Sequence, residues 1–421
     1  MNVRKVGKLE SLNKKLLVIG FVWPEPKSSA AGSRLLQLIE QFKNQGYEIT
    51  FASAAKTSEN SFNFEFTGIT TQNILLNAAS FDVFISELNP DAVLFDRFMT
   101  EEQYGWRVAE QCPNALRILD TEDFHGLRKA RQLALKQNET VTIAHLQNDI
   151  TKREIASIYR CDLSLIISEA ELEILTKQFK IDESLLYYLP FLLEPISEED
   201  INELPTFEAR QHFITIGNFL HAPNYDAVLY LKQRIWPLIK QQLPTAELHI
   251  YGAYKSQKVT QLNNAKDRFL IKGFAEDVNV VMQNAKICMA ALRFGAGLKG
   301  KLTDAMQNGT PCAMSSIAAE GMFNNLEPNG CIEDNPEIFA KKAIALYTNS
   351  KIWNTKQNNG FKVLNQRFNK TNFEANFALK IKDLTKHLKA HRQVNFIGQL
   401  LYHQTLQSTK YMSKWIEVKN G

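Results

Sequence analysis

The sequence predicts an α/β protein of two doubly wound domains facing a cleft, followed by a helical tail. Three observations carry that prediction. Two stretches, beginning at Leu16 and His212, open alike, with a short apolar run, a loop, a helical repeat and a second apolar run. An acidic segment bracketed by prolines, Glu194 to Pro205, lies between them as a linker. The length of 421 residues exceeds what one compact core organises.

In chain order, Leu16–Val22 is continuously apolar, as expected of a strand buried on both faces. Ser28–Ser33, rich in small residues, reads as a loop. After it Leu35, Leu36, Ile39 and Phe42 recur at helical spacing until Gly46. Glu48–Ala52 is the next strand, so the unit is βαβ with a parallel, right-handed crossover. Apolar runs at Ala92–Phe95, Leu116–Leu119 and Leu163–Ile167 extend the sheet. The second copy runs through His212–Gly217, a helical stretch from Ala222 to Leu243, and strands at Glu247–Gly252, Phe269–Gly273, Ile287–Leu292 and Pro311–Met314. Beyond Phe339 the pattern is helical. The predicted units are residues 1–205, 206–370 and 371–421, and ligands of such sheets bind beyond the carboxyl ends of the strands.

Lysine and arginine number 49 against 45 aspartates and glutamates, a net charge of +4. That excess is too small for a nucleic-acid footprint, and no nucleic-acid partner is expected. At 44% hydrophobic and 22% charged the composition is globular. Cys112, Cys161, Cys288, Cys312 and Cys331 are scattered with no CxxC pair, which speaks for reduced thiols and against zinc or iron–sulfur sites. Met1–Lys15 is charged throughout, unlike a signal peptide, and no run approaches the roughly 18 apolar residues of a membrane span. The expected location is cytoplasmic, either soluble or peripheral on the inner face of the membrane.

The most informative segment is Leu292–Met306, which leaves a buried strand and enters a helix with an apolar stripe of Leu298, Leu302, Ala305 and Met306. Gly297, Gly300, Lys301 and Asp304 fall at i, i+3, i+4 and i+7 and are expected on one face. Glycines at a helix mouth expose free N–H groups to an anion, and the two lysines would neutralise a diphosphate. Gly295 to Lys301 also fits the GxxxxGK spacing of a triphosphate-binding loop, but the next residue is Leu302 where magnesium needs Ser or Thr. A dehydrogenase is excluded because Trp23–Lys27, after the first strand, contains no GxGxxG.

Several runs together carry a family resemblance: Ile216–Phe219 with His221, Pro223 and Asn224; Trp236-Pro237; Leu248–Gly252; Gly273–Asp277; the glycine–lysine segment; Gly309–Pro311; and Ala319–Gly321. From about Phe213 to Met322 they resemble the carboxy-terminal domain of GT-B glycosyltransferases of the retaining family 4 type, glycosyltransferase group 1. The resemblance implies two Rossmann-like domains and a hexosyltransferase-like, metal-independent enzyme of cell-surface glycan or glycolipid synthesis. It also implies a nucleotide diphosphate sugar as donor, a glycan or lipid-linked acceptor, and no cofactor.

Carried over by position, Asp304 stands at the second glutamate of the EX7E motif, which holds the donor ribose, and keeps the two acceptor oxygens a diol needs. Lys301 would face the diphosphate and assist catalysis. Ala296 replaces the first motif glutamate. Asn218 replaces an arginine often found there, whose charge Arg293 and Lys299 could supply. Gly217, Gly295, Gly297 and Glu320 complete the expected donor set, and Gly32 sits where the first loop approaches the donor phosphate or acceptor. His125, at a strand end in Leu119–His125, matches a histidine near the transferred sugar, whereas Glu122 and Asp123 read as helix-capping carboxylates. Ala296 and Asn218 also motivate a second reading, a nucleotide-sugar-binding protein impaired in catalysis. A third is a scaffold in a polysaccharide assembly.

His387 and His391 have i, i+4 spacing but stand among Lys386, Lys389 and Arg392, which disfavour a bound cation, so no metal is expected. From Asn376 onward eight basic residues (Lys380, Lys382, Lys386, Lys389, Arg392, Lys410, Lys414 and Lys419) stand against Asp383 and Glu417. Val394, Ile397, Leu400 and Leu401 recur there at helical spacing, near Phe396, Tyr402 and Trp415. The resemblance has the last helices crossing back onto the first domain. The charge points to an anionic membrane surface as a further partner of the tail.

Overall fold

The computed structural model describes residues 14–404 and 406–420. Most of the charged Met1–Lys15 segment, and so the reading of it as no signal peptide, lies outside the described residues. Seven strands form the first sheet: β1 Lys14–Gly20, β2 Tyr47–Ser53, β3 Thr70–Asn73, β4 Ala92–Asp96, β5 Leu116–Asp120, β6 Leu163–Ile166 and β7 Leu186–Tyr188. All are parallel, in the order β3-β2-β1-β4-β5-β6-β7. The second sheet holds β8 Gln211–Ile216, β9 Leu248–Tyr251, β10 Phe269–Gly273, β11 Ala285–Ala290, β12 Cys312–Met314 and β13 Gly330–Ile332. It too is parallel, in the order β10-β9-β8-β11-β12-β13. In each sheet the strand order reverses beside the first strand, at β1/β4 and β8/β11, and that reversal opens a crevice at the carboxyl edge.

Helix α1, Ala30–Asn44, starts inside the segment expected to be a loop. The Ser29 side chain caps it by accepting the Gly32 N–H, so the small residues form its first turn. The helical stretch after β8 is interrupted: between Ala222–Tyr230 and Trp236–Gln242 lies a π-helical turn, Leu231–Ile235, just before Pro237, which has no N–H to give the ladder.

Apolar layers cover both faces of each sheet. One layer of the first domain is completed from the far end of the chain. A 21-residue helix, Glu374–Val394, buries Phe377, Ile381 and Leu384 among Leu16, Leu38 and Phe42. The Phe377 and Phe42 rings meet edge-on at 5.6 Å. Arg392 then anchors the helix end to Asp162 at 2.6 and 2.7 Å and to the Ala115 carbonyl at 2.7 Å. His387 and His391 go separate ways, the first to its own Asp383 and the second to the Asp162 carbonyl. The helix Phe396–His403 lies on Asp149–Arg160, with Gly398 so close that a Cβ would stand 2.2 Å from the Tyr159 oxygen. A last helix, Leu406–Asn420, follows.

Candidate functional site

The carboxyl edges of the two sheets face each other, and the loop after β11 fills the space between. Gly297 has φ 65°, and a Cβ on it would lie 2.8 Å from the Asp123 Cβ of the first domain, so only glycine fits. Its N–H donates to Glu171 Oε1 at 2.6 Å. Lys299 is buried and turns inward, its Nζ donating to the Ala296 and Gly297 carbonyls at 3.1 and 2.5 Å. Burial pushes its amine down to about 8. Lys299 thus stiffens the loop from within. The helix Gly300–Gln307 begins only after it, so Gly297 precedes the helix and does not share its face, whereas Leu298, also before the helix, still packs in one apolar cluster with Leu302, Ala305 and Met306.

Gly300 abuts Ala30, where a Cβ would come within 2.5 Å of the alanine Cβ. The amino ends of α1 and of Gly300–Gln307 therefore meet, one from each domain. Both present the positive end of a helix dipole. Lys301 stands in the first turn there, its Nζ donating to Asn224 Oδ1 at 3.0 Å, and Asp304 follows one turn later. Burial pushes Lys301 down to about 8 against the pull of Cys288 and Asp304, and pushes Asp304 up to about 7 against the pull of Lys301. Asn224 is itself held: its Nδ2 donates to the Asn218 carbonyl at 3.1 Å. A Cβ at Gly217 would strike that Asn224 amide at 2.6 Å. Gly217 and Asn218 thus position Asn224, which positions Lys301.

Three expected donor residues are engaged elsewhere. The Arg293 guanidinium pairs with Asp226 at 2.9 and 2.5 Å and lies over the Tyr230 ring. It lines a cavity of about 270 Å³ with Leu135, Ser315 and Asp334, apart from Lys301. Glu320 is taken by Arg131, at 2.5 and 2.8 Å, on the helix His125–Gln137. Arg131 also binds the Gly295 carbonyl at 2.9 Å and so bolts the two domains together. Gly32 lies under the Glu25 turn, whose backbone a Cβ would meet at 2.5 Å, so packing alone requires a glycine there.

His125 opens its helix. Its Nδ1 faces Asp123 Oδ1 at 3.0 Å and Glu154 Oε1 at 3.6 Å, and Phe98 meets the ring edge-on at 5.5 Å. Burial opposes its charge, but Asp123 and Glu154 outweigh it and push the imidazole up to about 10. With that shift the ring holds its proton near neutrality. Asp123 and Glu122 do not cap the helix. That task falls to Glu154, which accepts the His125 and Gly126 N–H groups, and to Glu171, which accepts Phe124 N–H. Asp123 pairs instead with Arg128 and His125. Glu122 has φ 63°, and its carboxyl, whose Oε1 has no partner, is pushed up to about 8 by burial and by Asp120. Glu154, Glu171 and Arg131 are site residues that sequence reasoning did not single out, and Asn224 was named there without a role. The available signal was a glutamate on a buried helix face, as with Glu154 among Thr151 and Ile158.

Two parallel α/β domains facing a cleft are the arrangement of the GT-B class of glycosyltransferase folds. Residues 210–349 match the family model Glycosyl transferases group 1. No curated protein sequence matches the chain. Among solved structures it is similar to sucrose-phosphate synthase from Thermosynechococcus elongatus, at 17% identity and TM-score 0.66, over 90% of this chain and 99% of that one. It is also similar to Anabaena HepE in complex with UDP and glucose, at 12% identity and TM-score 0.64, over 88% and 99%. A third likeness is WaaG, a glycosyltransferase involved in lipopolysaccharide biosynthesis, at 10% identity and TM-score 0.57, over 86% and 98%. At these identities the likeness is one of fold.

Proposed function

We propose that the chain transfers a glycosyl group from a nucleoside-diphosphate sugar to an acceptor hydroxyl, with retention. One observation carries this: Lys301 and Asp304 stand where two helix amino ends from opposite domains meet. Charge that builds on a leaving diphosphate would be stabilised there by Lys301 and by free N–H groups of both helices, already oriented before reaction. Asp304 would accept from the ribose hydroxyls. Lys299 supports the loop, and the protonated His125 ring, whose Nε2 has no partner among the described residues, would donate to the transferred sugar or its acceptor. On the retaining course the leaving phosphate itself takes the acceptor proton on the same face, so no protein base is needed. The HepE complex with UDP and glucose supports a uridine donor, and the involvement of WaaG in lipopolysaccharide biosynthesis supports a cell-surface glycan or lipid-linked acceptor.

A thermal-shift screen of nucleotide sugars tests the reading, because a ligand of the folded state raises its stability. Release of nucleoside diphosphate with an acceptor, unaffected by EDTA, would show a metal-independent enzyme. Binding without turnover would instead show the impaired binder, and absence of binding the scaffold. The anomeric configuration of the product, read by NMR, decides retention. Affinity for UDP is expected to peak between about pH 7 and 8. Rising pH discharges Lys301 through about 8, and falling pH protonates Asp304 through about 7. A flat calorimetric profile across that range would detach these two residues from the diphosphate nucleoside.

No helix among the described residues is long and apolar enough to cross a membrane. The tail nevertheless leaves Val394, Phe396, Ile397 and Leu400 exposed, and Tyr411, Trp415 and Ile416 likewise on the last helix. Lys410, Lys414 and Lys419 stand beside the latter. The tail is therefore read as also meeting anionic lipid, each basic residue contributing about 1 kcal/mol near such a surface. Cosedimentation with anionic vesicles at low salt, lost at high salt and lost on removing residues 406–421, is the expected result. Binding that salt leaves unchanged would defeat it.

A further inference from the structure

The glycine–lysine loop after β11 has no helix or strand of its own from Ala291 to Lys299. One peptide group in it is held at both ends by charge. Between Ala296 and Gly297, the N–H donates to Glu171 Oε1 at 2.6 Å and the carbonyl accepts Lys299 Nζ at 3.1 Å. An anion at the N–H end and a cation at the carbonyl end both align with the peptide dipole, and both bonds are charge-assisted. One peptide group earlier, Arg131 takes the Gly295 carbonyl at 2.9 Å. Glu171 and Arg131 both belong to the first domain. Glu171 is 1% exposed on the helix Glu169–Lys177, and that helix is pressed onto the second domain. Arg367 of the second domain donates to Glu169 Oε2 at 2.7 Å and to the Gly321 carbonyl at 3.1 Å, and a Cβ on Gly321 would lie 2.5 Å from Ser168 Oγ. The same Glu171 oxygen also accepts the Phe124 N–H at 2.8 Å, at the mouth of the His125 helix. One oxygen atom therefore joins the glycine–lysine loop to the segment that carries His125. Burial and Asp123 push the Glu171 carboxyl up to about 7 against the pull of both N–H groups and Lys299. An apolar side chain would avoid that desolvation, and what the carboxylate adds is the shared acceptor.

We infer that Glu171 and Arg131 are positioning residues, which set the spacing between His125 in the first domain and the glycine–lysine loop in the second without touching a substrate. The inference rests on the glycosyltransferase reading above, in which Lys301 faces the leaving diphosphate and His125 the transferred sugar or its acceptor. Lys301 has its own supports inside the second domain, Asn224 directly and Asn218 through it. The nucleotide site therefore keeps its shape without the grip of the first domain. The alignment of His125 with that site depends on the grip. Misplacing reacting groups by about 1 Å costs about 10²-fold in rate, so the loss falls on turnover rather than on nucleotide binding.

Glu171→Met, Glu171→Gln and Arg131→Met in the full chain test this. Each variant is followed by hydrogen exchange of segments 121–126 and 291–299, by UDP calorimetry and by UDP release from UDP-glucose. In Glu171→Met, exchange is expected to rise at least about tenfold in both segments together. UDP release should fall about 10²-fold, while UDP still fills one site per chain within about threefold of its wild-type affinity. Glu171→Gln keeps the accepting oxygen without the charge, so most of the rate should return and exchange should rise only about threefold. Arg131→Met is expected to loosen 291–299 and leave 121–126 unchanged. Unchanged exchange in Glu171→Met, or a rise in one of its two segments alone, would overturn the inference. So would UDP affinity lost in step with the rate, which would make the two residues supports of the nucleotide site itself. If Glu171→Met does not fold, the other two variants decide, and wild-type exchange of 291–299 in both would overturn the inference. A wild-type chain that fails to bind UDP or to release it from UDP-glucose counts against the donor reading instead, and the exchange measurements still decide whether Glu171 joins the two segments.

Discussion

Lys301→Ala is expected to lower turnover by about 10²- to 10³-fold, the loss typical of one preorganised donor to developing charge. The amine is fixed by Asn224 at 3.0 Å and partly desolvated, so its charge acts at short range through little water. UDP should bind more weakly as well, because the leaving group carries that charge before and after transfer. Asp304→Asn is expected to weaken nucleotide binding with a smaller effect on the rate of bound donor. Steady-state kinetics with separate UDP titrations measures both. Wild-type affinity and rate in both variants would remove the site from this helix.

Arg34→Ala is expected to destabilise the first domain by about 3–5 kcal/mol, the cost of leaving one partner of a buried ion pair alone. Arg34 and Asp120 are 1% and 0% exposed, and the arginine reaches Asp120 at 2.9–3.2 Å and the Leu189 and Pro190 carbonyls at 2.8 and 3.2 Å. Burial raises the Asp120 carboxyl even with the arginine present, and without it the group would have to protonate to stay inside. Replacing both, as Arg34→Met with Asp120→Leu, should recover much of the loss. Urea unfolding followed by Trp23, which sits in the core of this domain, reads the change. A double variant no better than the single one would mean that the two carbonyl contacts, not the ion pair, carry the stability.

Strands that are buried on both faces were legible, because Leu16–Ile19 and Ala92–Phe95 must be apolar throughout to sit in a covered parallel sheet. The edge strands were not. Thr70–Asn73 is polar and exposed along its whole length, and Leu186–Tyr188 and Gly330–Ile332 have only three residues each, too short for a period. In the site, the glycine–lysine string was legible because its spacing is local. The acceptors at the mouth of the His125 helix were not: Glu154 reaches the His125 N–H and Glu171 the Phe124 N–H from 29 and 47 residues away, a juxtaposition only the fold creates. Nearby Glu122 and Asp123 suggested capping by proximity in sequence, but the left-handed backbone at Glu122 turns that carboxyl away from the helix.

The helix Glu374–Val394, whose Phe377, Ile381 and Leu384 complete a core begun at Leu16, sets the order in which the chain can fold during synthesis. The second sheet has all its strands by Ile332, so its domain can condense while the ribosome is still translating. The first domain, although made earlier, must wait with part of its apolar layer open until residues beyond 384 emerge. Pairing Phe42 with Phe377 closes a loop of more than 300 residues, a slow step for any chain. Truncation before this helix should therefore yield aggregation of the first domain rather than a smaller soluble one, and early-made sequence is the part of this protein most in need of a chaperone.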